Sequence, residues 1–331
     1  MISLEHNTAA TNLLSVLVPV CNEQEVLSEF HRRLICALSD VDMGLEVLYV
    51  NDGSTDGSVE VLRQLRERDH RVGVLDLSRN FGKEIAMAAG LDHVRGDVVV
   101  IIDADLQDPP ELIPDMLAAW QQGYDQVEMR RISREGESVA KRWTAHAFYR
   151  LIARLSDVPI TQDVGDFRLL SRRAVAGMRQ LGERNRFMKG LYAWVGCPRM
   201  QIAYHRSARH AGKTKWNYWR LWNFAIEGFT SFTVAPLKVA SYVGMLVALT
   251  AFVYAVVVIL KTLVFGDSAA GYPSLMVVLL FLGGVQLLCL GILGEYLGRM
   301  FIETKQRPLY LVSEFHPAAA KDSVVIVQAA P

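Results

Sequence analysis

The sequence predicts an α/β domain built on a mixed, mostly parallel sheet, followed by interfacial helices and a two-helix transmembrane hairpin. Three observations carry this. First, apolar runs of strand length end repeatedly in acidic residues. Leu14–Val20 runs into Cys21-Asn22-Glu23, Leu45–Val50 into Asn51-Asp52-Gly53, and Val98–Ile102 into Asp103-Ala104-Asp105. Second, helical stretches separate these runs, so the repeating unit is β-α, which implies parallel strands. Third, Leu237–Val264 has only Lys238 and Lys261 as charges, and Leu275–Leu293 has none.

Taken in order, strands are expected near Leu13–Pro19, Leu45–Asn51, Val72–Asp76, Val98–Asp103 and Asp125–Arg130, with a short one over Met200–His205. Helices are expected over Glu25–Leu38, Asp56–Arg68, Lys83–Val94, Pro110–Gln122, Ser138–Leu155, Arg172–Leu181 and Arg186–Trp194. Asn51-Asp52-Gly53 is a turn signal, and Ser54, Thr55 or Asp56 can cap the helix that follows. Each of the two long apolar runs exceeds the roughly 20 residues that cross a bilayer. A buried hairpin in a soluble core is the alternative, but two tandem runs are too long and too uniformly apolar for it.

The polar turn Phe265–Pro273 joins the runs. Arg220 and Lys238 precede the first, while Arg299, Lys305 and Arg307 follow the second. The positive-inside rule then makes both ends cytoplasmic and the turn external. Before the first span, Lys213–Phe224 mixes basic and indole side chains, which suits a headgroup region. The expected organisation is a cytoplasmic catalytic domain over 1–212, interfacial amphipathic helices over 213–236, two spans at about 237–264 and 274–298 within 237–300, and a cytoplasmic tail over 301–331. The tail after Val312 is short and Ala-rich, is expected to be mobile, and is assigned no function.

Composition narrows the function. Lys+Arg and Asp+Glu both number 35 in 331 residues, so no global field points to nucleic acid. Cys21, Cys36, Cys197 and Cys289 form no C-x-x-C pair, which fits a reducing compartment with neither zinc site nor disulfide framework. Met1–Thr11 has no basic region followed by an apolar core, so no signal peptide is expected there. No Gly-x-Gly-x-x-Gly follows the first strand and no Walker-type lysine loop occurs, which disfavours a dinucleotide oxidoreductase and a P-loop ATPase.

The chemistry centres on Asp103-Ala104-Asp105-Leu106-Gln107-Asp108-Pro109-Pro110. Ligand crevices of open α/β sheets lie at the carboxyl ends of strands. Oxygen ligands from Asp103, Asp105 and Gln107 suit Mg²⁺ or Mn²⁺, which in turn hold a diphosphate.

The set V-P-V-x-N-E, V-N-D-G-S-T-D, R-N-F-G-K and D-A-D-L-Q-D-P-P-E resembles the family 2 glycosyltransferases with the GT-A nucleotide-sugar-binding fold. Gly165–Leu170 and Glu183–Gly190 narrow the resemblance to the polyprenyl-phosphate hexosyltransferase branch, over about residues 13 to 312. It implies a nucleotide-sugar donor, UDP-glucose first among several, and a polyprenyl phosphate acceptor such as undecaprenyl phosphate at the cytoplasmic membrane. It implies that Pro19 and Glu23 line the base and ribose pocket and that Asp52 accepts from the base. Asp103 then lies near the ribose or metal, Asp105 and Gln107 hold the metal, and Lys83 belongs to the donor side. Asp52 as a turn or capping residue, and Glu23 as a first-turn acid facing the helix dipole, stay open.

A lipid phosphate is already anionic and mainly needs positioning and charge screening. Arg130, Arg131, Lys141 and Arg142 form the basic cluster for it, with Arg131 and Arg142 favoured by the resemblance. Strand alternation sets Glu128 and Arg130 on one face and Met129 and Arg131 on the other, which adds weight to Arg131. Lys213 and Lys215 sit on a glycine-containing loop that, by the resemblance, closes over the nucleotide; clamping the donor diphosphate and meeting an anionic membrane surface both stay open. Asp166 is read as a base, a holder of a sugar hydroxyl, or the partner of Arg168. A processive polysaccharide synthase, a non-catalytic membrane scaffold and other sugar donors are the alternatives. The two spans also offer a lipid groove or an interface for a homo-oligomer.

Overall fold

In the computed structural model, the described residues are 12–132, 164–184, 186–204, 235–265 and 271–319. Those up to Tyr204 and from Pro308 onward form one compact unit, and Ala235–Arg307 form a second.

The first unit is a sheet flanked by helices. Its elements are β1 (Leu13–Val20), α1 (Leu27–Ala37), β2 (Gly44–Asn51), α2 (Ser58–Arg68), β3 (Val72–Leu77), α3 (Lys83–His93) and β4 (Val98–Ile101). A 3-10 turn at Pro110–Leu112 leads into α4 (Ile113–Gln121). Then come β5 (Gln126–Arg131), β6 (Val164–Ser171), α5 (Arg172–Gln180), α6 (Met188–Trp194) and β7 (Arg199–Tyr204). The sheet has eight strands in the order β7-β5-β6-β4-β1-β2-β3-β8, where β8 is Val312–His316. The pairs β1–β2, β1–β4, β2–β3 and β5–β7 are parallel. β6 runs antiparallel to both β4 and β5, and β8 antiparallel to β3. The mixed, mostly parallel sheet expected from sequence is therefore present.

The central strands are nearly continuous apolar runs because both faces are covered. Leu14, Val16, Val18, Val47, Tyr49, Val98 and Val100 are all buried in one core with Leu27, Phe30 and Leu34 of α1.

Two strands are additions to the sequence reading. β6 supplies an antiparallel member in the middle of the sheet, where the sequence reading holds only a motif. β8 lies in the tail that the sequence reading expects to be mobile, and it is instead paired with β3. It is tied down along its length: Ser78 N–H donates to Leu311 C=O at 2.9 Å, Ala319 N–H to His70 C=O at 2.9 Å, and Arg95 Nη2 to Ala318 C=O at 2.9 Å. Tyr310 Oη donates to Asp92 at 3.0 Å.

The second unit contains two long helices, α7 (Ala235–Phe265, 31 residues) and α8 (Tyr272–Thr304, 33 residues). They coincide with the two apolar runs. Their large side chains point outward: Phe252, Leu263 and Leu287 are 67%, 77% and 71% exposed. Among the described residues, Phe281–Thr304 is the one helix long and apolar enough to cross a membrane, and none of its apolar window is buried. Val239–Tyr254 is a shorter apolar helix. The expected helix over Ser138–Leu155, the interfacial segment over 213–234 and residues 266–270 of the expected turn lie outside the described residues.

Candidate active site

Strand direction gathers the site at one end of the sheet. β4, β5 and β7 point the same way, so their carboxyl ends share an edge with the amino end of antiparallel β6. Ile101 of β4 pairs with Arg168 of β6. Continuing that register by two residues sets Asp103 across from Asp166.

Lys83, the first residue of α3, joins those two carboxylates. Its Nζ lies 2.7 Å from Asp103 and 2.5 Å from Asp166. Burial opposes ionisation of Asp166, but the charge of Lys83 and its hydrogen bond prevail and hold the carboxyl down to about 2. Lys83 thus holds Asp166 as a carboxylate. Burial raises Asp103 from its ordinary value; Lys83 opposes the shift and the Asp166 charge adds to it. No direct ion pair between Asp166 and Arg168 is seen among the described residues, although the Arg168 charge helps to lower Asp166. Arg168 is buried, donates to Gly165 C=O at 2.9 Å, lies 3.8 Å from Glu128 and stacks 3.6 Å over the Tyr192 ring. Glu128 therefore faces Arg168.

The Asp105 turn is bent. Its Oδ1 accepts the Gln107 N–H at 3.1 Å, and Leu106 between them sits at φ 60. A leucine in the left-handed region costs on the order of 1–3 kcal/mol and persists only where the surroundings hold it. Here the Leu106 side chain is buried in the core. Such strain often marks a site.

Asp52 is buried, and both its oxygens hold the loop that leads into α3. Phe81 N–H donates to Oδ1 at 2.7 Å and Gly82 N–H to Oδ2 at 2.9 Å. This contact holds the loop and fixes where the helix of Lys83 begins, although Asp52 caps neither that helix nor α2, the one that follows Asp52 in sequence. The same loop crosses Gly53, where an added Cβ would meet Asn80 N at 2.4 Å. Pro19 lies in β1 beside Val50, and Glu23 donates its N–H to Ser58 Oγ at 2.9 Å. Both border the same carboxyl edge.

Arg131 ends β5 with its side chain half-buried, whereas Arg130 is exposed, as the alternation predicts. Its Nε donates to Tyr204 Oη at 3.3 Å, and Nη2 lies 4.0 Å from the buried Asp108. Tyr204 Oη in turn donates to Asp108. Burial and the Asp108 charge push the Tyr204 hydroxyl up to about 12, so it stays a donor. Gly165 passes beneath the guanidinium: a Cβ there would lie 2.5 Å from Nη2. Lys141, Arg142, Lys213 and Lys215 lie outside the described residues.

Asp108, Tyr204, Glu84 and Lys189 were missed as site residues. Asp108 was legible only as part of the acidic motif, and Tyr204 only as a strand end. Glu84 accepts the Met188 N–H at 2.6 Å, and burial pushes its carboxyl up to about 7. Burial lowers Lys189, partly offset by Asp166.

Among the described residues no group of three His, Cys, Asp or Glu side chains forms a ready metal cage. Asp103 and Asp105 nevertheless fit a hard divalent cation, because Mg²⁺ is commonly held by one or two carboxylates plus substrate phosphates.

The strand order and this acidic strand-end crevice define a GT-A-like domain. Residues 15–178 match the Glycosyl transferase family 2 model, and residues 235–300 match the GtrB C-terminal hairpin. An uncharacterized glycosyltransferase of Synechocystis sp. is 48% identical, covering 91% of this chain and 95% of its own length. The prophage bactoprenol glucosyl transferase homolog of Escherichia coli is 45% identical (90% and 98% covered). The bactoprenol glucosyl transferase of Shigella phage SfII is 46% identical (92% and 98% covered). The chain belongs to the family 2 glycosyltransferases, within the branch that carries the GtrB-type hairpin.

Proposed function

We propose that this enzyme transfers glucose from UDP-glucose to a polyprenyl phosphate at the cytoplasmic face of the inner membrane, with inversion at the anomeric carbon. The observation that carries the reading is the meeting, at one sheet edge, of an oxygen-rich anionic group with Arg131, two functions that a phosphate acceptor and a diphosphate donor require together. The names of the bactoprenol relatives support glucose and the lipid acceptor.

An acceptor phosphate oxygen attacks the anomeric carbon as its bond to the UDP oxygen breaks, and the bonding electrons leave on the diphosphate. No proton has to move, because the attacking phosphate oxygen is already anionic. Arg131 screens and orients the acceptor phosphate, held in place by Tyr204 and Asp108; Arg142, Lys141 and Arg130 complete the basic surround. Pro19, Glu23 and the remaining lone pairs of Asp52 receive the nucleoside, and Lys213 and Lys215 close over it. Asp103, Asp105 and Gln107 would hold Mg²⁺ or Mn²⁺, which supplies charge neutralisation for the leaving diphosphate.

The domain plan is a catalytic unit over 1–212, interfacial helices over 213–236 and a membrane hairpin over 237–300. At about 1.5 Å per residue, α7 and α8 are each long enough for a hydrocarbon core of about 30 Å. The chain leaves the catalytic unit before α7 and rejoins its sheet at β8. A single folded sheet lies on one side of a bilayer, so an even number of crossings is required. This supports a hairpin with its turn outside.

The test is transfer of radiolabelled sugar into the lipid phase by membranes given one nucleotide sugar at a time with undecaprenyl phosphate. UDP-glucose should be the productive donor. Lipid labelling from GDP-mannose or UDP-GlcNAc alone would overturn the glucose assignment, and labelling from none would overturn the reaction.

A further inference from the structure

Lys83 stands in an unusual position for a donor-binding lysine. Its backbone is fixed, because Asp52 holds the two preceding amides, so any motion belongs to its flexible four-carbon side chain. That side chain is 42% exposed, yet its ammonium sits between two carboxylates. Both oxygens of Asp103 lie 2.7 Å from Nζ, one as a hydrogen bond and one as an ion pair. A divalent cation on Asp103 would meet this ammonium at close range, and two cations on one carboxylate repel. The diphosphate of a nucleotide offers Lys83 another anionic partner in the same crevice.

We infer that Lys83 is a built-in counter-cation that holds Asp103 and Asp166 together in the empty site and gives Asp103 up only when a nucleotide diphosphate draws it away. Metal and nucleotide then bind as a coupled pair. Each strengthens the other by the same factor, since coupling between two ligands is reciprocal. The inference rests on the glycosyltransferase reading above and deepens it. The lysine keeps two neighbouring carboxylates from repelling in the absence of substrate, and it disfavours a metal ion bound without a donor.

The test is Mn²⁺ binding to the full-length protein in detergent, read from the electron paramagnetic resonance signal of the unbound ion, with and without UDP. Lys83→Met should bind Mn²⁺ alone about tenfold more tightly, and its UDP-induced gain should shrink by about tenfold, within the usual range of coupling between sites. Lys83→Arg, which keeps the charge, should behave as the parent does. If Lys83→Met does not fold, Lys83→Gln, which can still donate to both carboxylates, carries the same expectation. Unchanged or weaker Mn²⁺ affinity in the neutral variants without UDP, or an undiminished UDP effect, overturns the inference while leaving the enzyme reading intact. Failure of parent and variants alike to bind Mn²⁺ even with UDP overturns the metal assignment itself, and the inference with it.

Discussion

Gly165→Ala tests the assignment of Arg131 without touching Arg131. Gly165 has no left-handed φ, so alanine suits its backbone, but the new Cβ would lie 2.5 Å from Nη2, 3.2 Å from Cζ and 3.6 Å from Nε. Restoring an ordinary 3.4 Å contact requires the guanidinium tip to retreat by about 0.9 Å. The atom that yields is the far end of a flexible side chain, so the fold should survive. The retreat would disturb the 3.3 Å hydrogen bond to Tyr204 and the 4.0 Å approach to Asp108. A misplacement of about 1 Å in a reacting assembly can cost about 10²-fold. The expected result is a loss of about 10- to 100-fold in kcat/KM for polyprenyl phosphate, with UDP affinity by calorimetry unchanged. The assay is radiolabelled glucose transfer with varied lipid phosphate, alongside a thermal melt. Unchanged acceptor dependence in a folded variant would refute the placement of the acceptor phosphate at Arg131, and a selective loss of UDP affinity would move this arginine to the donor side.

Three further outcomes are expected. Asp105→Asn should lower transfer by about 10²–10³ at saturating Mg²⁺ or Mn²⁺ without loss of fold by circular dichroism; near-parental turnover would remove Asp105 from the metal site. Glu84, pushed up to about 7 from 4.5 chiefly by burial, binds its proton more tightly in the folded state. Its stabilising contribution is complete below about 4.5 and is lost as pH rises through about 7, so the parent should lose thermal stability between pH 5 and 8 relative to Glu84→Gln, and parallel pH profiles would contradict this. In a cysteine-free background, Ser268→Cys should react with an impermeant maleimide from outside spheroplasts and Ser313→Cys should not; the reverse pattern would invert the topology.

The parallel core was legible because its strands are buried on both faces and read as uninterrupted apolar runs. β6 was not, because Gly165, Asp166 and Arg168 break the apolar pattern. Arg168 sits in the interior beside Glu128, Tyr192 and a backbone carbonyl, partners remote or unremarkable in sequence. The acidic strand end at Asp103 and Asp105 announced itself through spacing. The link from Lys83 to Asp103 and Asp166 did not, since it depends on the antiparallel register of a strand that the sequence did not reveal. The preference for Arg131 over Arg130 came from the resemblance, with strand alternation adding weight. Its supports, Asp108 and Tyr204, required knowing that β7 lies parallel to β5.

The strand formed by Val312–His316 has a consequence for how the protein is made. Leu77 of β3 pairs with Val312, so one edge of the catalytic sheet stays open until the chain has been made past Val312. Contacts this distant in sequence form late and slowly, because loop closure precedes their reward. An uncovered strand edge is meanwhile a template for unwanted pairing. Under the proposed hairpin topology, insertion would then also be the step that brings the tail back and completes this sheet. A chain stalled during insertion should be sensitive to protease at its catalytic domain as well as at its helices.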